Sequence, residues 1–264
     1  MRKIEIEELK QIQLEILIKV HNFCVSNGIN YSLSSGTLLG AIRHKGYIPW
    51  DDDIDIYMLR PEFERLEKDF CDPYLRIMSP KLDKNCIYPY GKVYDSRTIL
   101  VEDVDNSMSN MGVNIDIFVI DSVPDDMRER RRLFRKNKFL ETIIMIKTVR
   151  LRNGRSLFKN ICLLIGKLLL YPIPLRRIIA IKYNLCVPFN PSSNDICNVM
   201  AGIGIKACIP LKVMGSFIDI DFEGFTFKCM EDYECYLRVN FGDYMELPPV
   251  DKRLSHHVFK AWWK

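Results

Sequence analysis

The chain has 264 residues, 48% of them hydrophobic and 27% charged, which excludes a disordered or membrane-embedded chain and allows one ample core, or one core plus a helical insertion. Nine cysteines, an odd number with no Cys-x-x-Cys pair, argue against a disulfide frame or a zinc cluster. The net charge of +4 hides an asymmetry: residues 127–183 hold 16 Lys/Arg against 2 Asp/Glu, and the remainder is acidic at −10, so the two parts face different things.

The Met1-Arg2-Lys3 start leads into an acidic amphipathic segment instead of an apolar run, so a cytoplasmic location is expected. Ile6, Leu9, Ile12, Ile16, Leu17, Val20 and Cys24 recur at steps of three and four, predicting a helix over 4–26 stopped by Asn27-Gly28. His21 on it reads as a surface or packing histidine. A β-like stretch, Ile29 to Leu33, is followed by the small-residue turn Ser34-Ser35-Gly36-Thr37 and a short helix from Thr37 to Arg43. Such a turn presents free N–H groups and the positive end of the helix dipole, which favours a phosphate at Ser35, Gly36 and Thr37. Arg43, His44 and Lys45 follow, either meeting a diphosphate or capping the helix C-terminus. Trp50 either stacks on a base or encloses a quaternary ammonium, or it belongs to the core.

The run Asp51-Asp52-Asp53-Ile54-Asp55-Ile56 alternates like a strand that buries its isoleucines and presents Asp53 and Asp55 on one face. Two carboxylates about 4 Å apart repel by roughly 4 kcal/mol at an effective dielectric of 20, a cost that a divalent ion removes. Hard oxygen ligands suit Mg²⁺ or Mn²⁺. The plainer alternative is an N-capped helix followed by a solvated acidic loop.

Arg60-Pro61-Glu62 opens a short helix to Lys68, and Tyr74 to Met78 reads as a strand. Val113, Ile115 and Ile117 alternate with Asn114, Asp116 and Phe118 in a further strand with a carboxylate on its polar face. If this strand neighbours the first acidic one, Asp53, Asp55 and Asp116 form a triad able to hold two metal ions. Asp121 reads as a loop residue leading to Pro124. The basic segment is too short and too interrupted in its apolar runs to span a bilayer. It reads either as basic amphipathic helices suited to the anionic inner leaflet of a membrane or as a helical cap with solvated cations. Its few aromatics among long aliphatic runs disfavour nucleic acid. Ile218 to Phe222 and Phe225 to Lys228 flank Glu223-Gly224 as a hairpin with Asp219 and Asp221 on its solvent face, and Glu231 to Phe241 forms a helix ended by Gly242.

The run from Gly36 to Ile56, GTLLGAIRHKGYIPWDDDIDI, resembles the signature of the LicD family, which includes phosphocholine transferases of bacterial surface glycans and, more distantly, fukutin-type sugar phosphotransferases. Lys92 to Thr98, Asn114 to Phe118, Phe241 to Met245, Leu247-Pro248-Pro249 and Arg253 extend the resemblance in family order. It implies an α+β, nucleotidyltransferase-like mixed sheet flanked by helices with a basic helical insertion, divided as core 1–125, insertion 126–190 and a completing hairpin and helix 191–264. The implied chemistry moves a phospho-alcohol, phosphocholine from CDP-choline or else ribitol or glycerol phosphate, onto a sugar hydroxyl. The acceptor is a glycan, carried on a lipid or free. A non-catalytic role in glycan assembly at the membrane surface is the reading from another class. The resemblance also puts Lys92 and Arg97 on the donor phosphates and Arg253 and His256 on phosphate or acceptor.

Overall fold

The computed structural model describes residues 1–102, 111–149, 156–186, 190–199, 204–253 and 259–264. A short strand, β1 (Arg2–Ile4), precedes helix α1 (Ile6–Asn27). Helix α1 buries Leu9, Ile12, Ile16, Leu17, Val20 and Cys24 and ends on Gly28 in the left-handed region at φ 57°, where a glycine meets no Cβ penalty. Then come β2 (Ser32–Leu33), α2 (Ser35–His44), β3 (Asp55–Leu59), α3 (Arg60–Asp69, with Pro61 in its first turn), β4 (Leu75–Met78), β5 (Gly91–Asp95), β6 (Thr98–Glu102) and β7 (Asn114–Ser122).

The basic segment forms α4 (Met127–Thr148), α5 (Leu157–Leu170) and α6 (Leu175–Tyr183). Short strands β8 (Asp195–Cys197) and β9 (Ile209–Pro210), the hairpin β10 (Phe217–Phe222) and β11 (Phe225–Met230), helix α7 (Tyr233–Phe241) and strand β12 (Phe259–Trp263) complete the chain. The class is α+β. The main sheet runs β2-β3-β7-β5-β4, with β8 added on β7 and β9 on β8. Within it β3 and β7 are parallel, and the other pairs are antiparallel.

The parallel register sets Asp55 opposite Asp116, so the two acidic residues are neighbours across one strand spacing, about 4.8 Å. One core joins α1, both faces of the central strands and the hairpin, with Tyr31, Phe63, Phe222 and Phe227 among its largest buried side chains. The hairpin turns on Glu223 at φ 52° and Gly224 at φ 78°, the positive-φ pair that a two-residue turn needs. Asp219 and Asp221 are on its exposed side, as the alternation predicted.

Two expectations need correction. Asp121 is not a loop residue: it lies inside β7, fully buried, and its carboxylate takes two bonds from the buried Arg60 guanidinium at 2.5 and 2.6 Å. The strand continues to Ser122 because β8 pairs with its last residues. The acidic strand, for its part, begins only at Asp55, so Asp53 sits in the irregular approach to β3 instead of on the strand. The Asp121 pair ties the start of α3 to the far end of the central strand, and Tyr183 of α6 lays its ring 4.7 Å from the Arg60 guanidinium carbon.

Candidate active site

The site starts where β2 gives way to α2. Because β2 and β3 pair antiparallel, Ser34 N–H donates to the Asp55 carbonyl at 3.0 Å, and Asp55 N–H donates to the Thr37 hydroxyl at 2.9 Å. These bonds fasten the acidic strand to the first turn of the helix. Ser35 adopts φ 48° and donates its N–H to the Tyr236 hydroxyl at 2.9 Å. A helix leaves its first N–H groups without internal acceptors. Ser34 and Ser35 find theirs within the protein, whereas Gly36 and Thr37 have none among the described residues, which suits an anion there. A Cβ at Gly36 would meet the tip of the Asp51 carboxylate, which therefore lies directly over this turn.

Around this turn the carboxylates gather. Asp55 is 7% exposed, and its Oδ1 has no hydrogen-bond partner. Burial, followed by the charges of Asp53, Asp116 and Asp51, raises its pKa well above the usual carboxylate range, with a Ser35 hydrogen bond acting in the other direction. Asp51, Asp52 and Asp53 bring carboxylate oxygens within 4.8 Å of one another. Sequence reasoning singled out Asp53, Asp55 and Asp116 and passed over Asp51 and Asp52, although the unbroken triple aspartate was the available signal. The close group is all carboxylate oxygen from Asp51, Asp52 and Asp53; Asp55, with its partnerless buried oxygen, and Asp116 stand outside it, though their charges act on one another. That chemistry fits a hard divalent cation such as Mg²⁺ or Mn²⁺.

The cations divide. Lys92 is buried, its ammonium 2.5 Å from Asp116 Oδ1 and 3.1 Å from Asn114 Oδ1 and lying over the Tyr88 and Tyr90 rings at 4.5 and 5.4 Å. The resemblance put Lys92 on the donor phosphates; here its ammonium pairs with Asp116. Arg97, which the resemblance put on the donor phosphates, has other partners here. On the tight link between β5 and β6 it binds the Asp95 carboxylate at 2.5 Å and stacks against Tyr74 and Trp263, away from the acidic turn. Lys45 takes the left-handed position at φ 60° that ends α2, resolving it as the helix cap.

Arg43 donates to the Tyr244 carbonyl at 2.9 Å and to His44 Nε2 at 3.1 Å. His44 meets Trp50 edge-on with ring centroids 6.3 Å apart, and burial followed by the Arg43 charge lowers its pKa. Arg253 donates to the Pro248 carbonyl at 2.8 Å, and its guanidinium carbon lies 5.5 Å from the Trp50 ring centroid. His256 falls outside the described residues.

A cleft of about 800 Å³ opens at the acidic turn; Asp116, Lys92, Arg97, His44 and Arg253 are not among the residues that line it. Ser35, Gly36, Asp51, Asp53 and Asp55 line one wall; Arg43 and Trp50 line another; Asp243, Glu246, Pro248 and Lys252 close it from the segment after α7. That last wall was foreseen only through the resemblance, because nothing in its local pattern marks a binding surface.

Residues 28–143 match the family model described as LicD/FKTN/FKRP, nucleotidyltransferase domain. Over 269 aligned residues, covering 99% of this chain and 99% of the relative, the sequence is 30% identical to the lipopolysaccharide cholinephosphotransferase LicD of Haemophilus influenzae. The chain belongs to the LicD family of phosphotransferases. Shorter matches reach an uncharacterized protein of Rickettsia typhi, 37% identical over 32% of this chain and 29% of that one, and another of Rickettsia prowazekii, 41% identical over 25% and 29%. The LicD match spans α2, β3 and β7, the elements that carry the carboxylates and the phosphate turn.

Proposed function

We propose that this LicD-family enzyme transfers phosphocholine from CDP-choline to a hydroxyl of a cell-surface glycan, of the lipopolysaccharide, teichoic acid or capsule kind, and releases CMP, with Mg²⁺ at the carboxylates. The observation that carries this reading is the partnerless Oδ1 of buried Asp55, set beside Asp116 in register and facing an open helix N-terminus. The choline donor and the glycan acceptor are carried over from the full-length likeness to the Haemophilus influenzae cholinephosphotransferase. In this reading Gly36 and Thr37 N–H groups receive the donor diphosphate, with Arg43 and Arg253 at its rim. Asp53, Asp55 and Asp116 would hold the metal, which when bound would neutralise charge on the diphosphate and its leaving group.

The acceptor hydroxyl attacks the β-phosphorus, the bond from that phosphorus to the CMP oxygen breaks, and the hydroxyl proton passes to the Asp116 carboxylate. Lys92 fixes that carboxylate in place. Catalysis then comes mainly from positioning and charge compensation. The basic helices α4 to α6 favour the lipid-linked form of that acceptor, met at the inner face of a membrane.

The test is CMP release from CDP-choline, CDP-ribitol and CDP-glycerol with Mg²⁺ and a lipopolysaccharide acceptor. CMP should form with CDP-choline, and Asp53→Asn should reduce its rate by about 10²-fold or more, the scale for loss of one electrostatic contact to the transition state. Release from a polyol donor alone would reassign the alcohol. Consumption of nucleoside triphosphates alone would defeat the whole reaction.

A further inference from the structure

Helix α5 is apolar around most of its circumference. A helix of that kind is ordinarily enclosed by protein or lipid, yet none of its residues is buried. One face leans on α4, where Gly166 lets Ile146 approach so closely that a Cβ would sit 3.0 Å from its methyl carbon, and Lys147 donates to the Leu170 carbonyl at 2.8 Å. The opposite face carries Phe158, Ile161, Leu164, Ile165, Leu168 and Leu169, exposed by 46 to 75%. Their spacing of three and four residues makes one continuous stripe. A stripe of six large apolar side chains is a contiguous patch of the size that marks an interaction surface on a folded protein.

Charge identifies the occupant. From Thr142 to Asn194 the sequence holds nine Lys/Arg and no Asp/Glu, and Lys159 on the helix and Arg176 and Arg177 in the first turn of α6 are exposed. A second copy would bring the same cations against these, which costs energy at close range. An anionic bilayer meets both requirements, acyl chains for the stripe and acidic headgroups for the unbalanced cations of this segment. With 14 residues the helix is about 21 Å long, short of the roughly 30 Å hydrocarbon layer, and no described helix is long and apolar enough to cross a membrane. It therefore lies along the surface.

We infer that the exposed face of α5 docks the enzyme on an anionic phospholipid surface, with the helix flat in the headgroup region. This deepens the lipid-linked acceptor reading and depends on it for its purpose, while the binding is measured apart from catalysis.

The experiment is flotation of the full chain with vesicles of phosphatidylcholine alone and of phosphatidylcholine mixed with phosphatidylglycerol, at low and high salt. Wild type should float with the phosphatidylglycerol vesicles and lose binding as salt rises. Leu164→Gln/Leu168→Gln should weaken partition about tenfold or more, and Lys159→Glu/Arg176→Glu should abolish the preference for the anionic lipid. These side chains are exposed, so the variants should keep the wild-type circular dichroism melt, and CMP release with a soluble delipidated acceptor should be unchanged. Docking is overturned if wild type floats with neither vesicle, or if the leucine variant floats as well as wild type. It is equally overturned if sedimentation velocity shows a wild-type dimer that the leucine change dissociates while neither protein binds vesicles. Absence of CMP release in wild type that still floats would strike at the reaction and leave the docking surface standing.

Discussion

Asp55 has two opposed consequences. Its buried carboxyl holds a proton more tightly folded than unfolded. The stability linked to it is therefore complete below the ordinary carboxylate pKa, about 3.9, and is lost as pH rises through the higher folded-state value. In metal-free buffer at pH 8, Asp55→Asn should accordingly be more stable than wild type by roughly 1 kcal/mol, the usual gain when a group kept for function is relaxed. The gap should close below about pH 3, where the carboxyl is neutral in both states. Urea midpoints in the presence of a chelator measure this, and a less stable variant at pH 8 would contradict it. The same substitution should abolish CMP release, because it removes an anionic ligand and leaves an amide in its place. This residue was readable in the sequence, since an aspartate between two isoleucines at strand spacing puts a carboxylate beside a buried sheet, where a charge is costly unless it binds something. Asp51 was not, because its role over Gly36 depends on how the irregular stretch before β3 folds back on the helix turn.

Elements show where sequence reading succeeds and where it stops. Helices α1 and α3 and the hairpin β10–β11 were legible because each carries its own periodicity and its own end signal: Gly28 after α1, Pro61 in the first turn of α3, Glu223-Gly224 between the strands. The start of α1 at Ile6, later than the periodicity alone gives, reflects pairing of Arg2–Ile4 with β12 at the other end of the chain. The Arg60–Asp121 pair could not be read, since both residues look like surface charges until α3 and β7 are packed together. Its energetics are one-sided. Arg60→Ala should cost about 3–5 kcal/mol by stranding a buried carboxylate. Arg60→Met/Asp121→Leu should recover most of that loss, and a chemical-denaturation series on the single and double variants checks it. A loss under about 1 kcal/mol for the single change would mean that water reaches Asp121.

Across the whole molecule, residues far apart in sequence complete both the fold and the site. Strand β12 sits between β1 and β6, and the Trp263 indole donates to Glu8 at 2.9 Å while the Arg2 guanidinium lies over its ring. Trp263→Ala should loosen this three-stranded sheet and lower the Tm by roughly 5 °C, read by calorimetry, with CMP release retained below the new midpoint. An unchanged Tm would mean that the sheet adds nothing to global stability. The cleft is likewise assembled from distant parts, the acidic turn early in the chain and the wall from Asp243 to Lys252 near its end. Family likeness pointed to that wall, and periodicity did not, because a proline-rich loop has no repeat to read. The most direct test of the account is calorimetric titration of Mn²⁺ into wild type and into Asp53→Asn/Asp55→Asn. Saturable binding to wild type, absent from the double variant, is the result predicted; equal binding in both would show that these carboxylates are not where the ion is held.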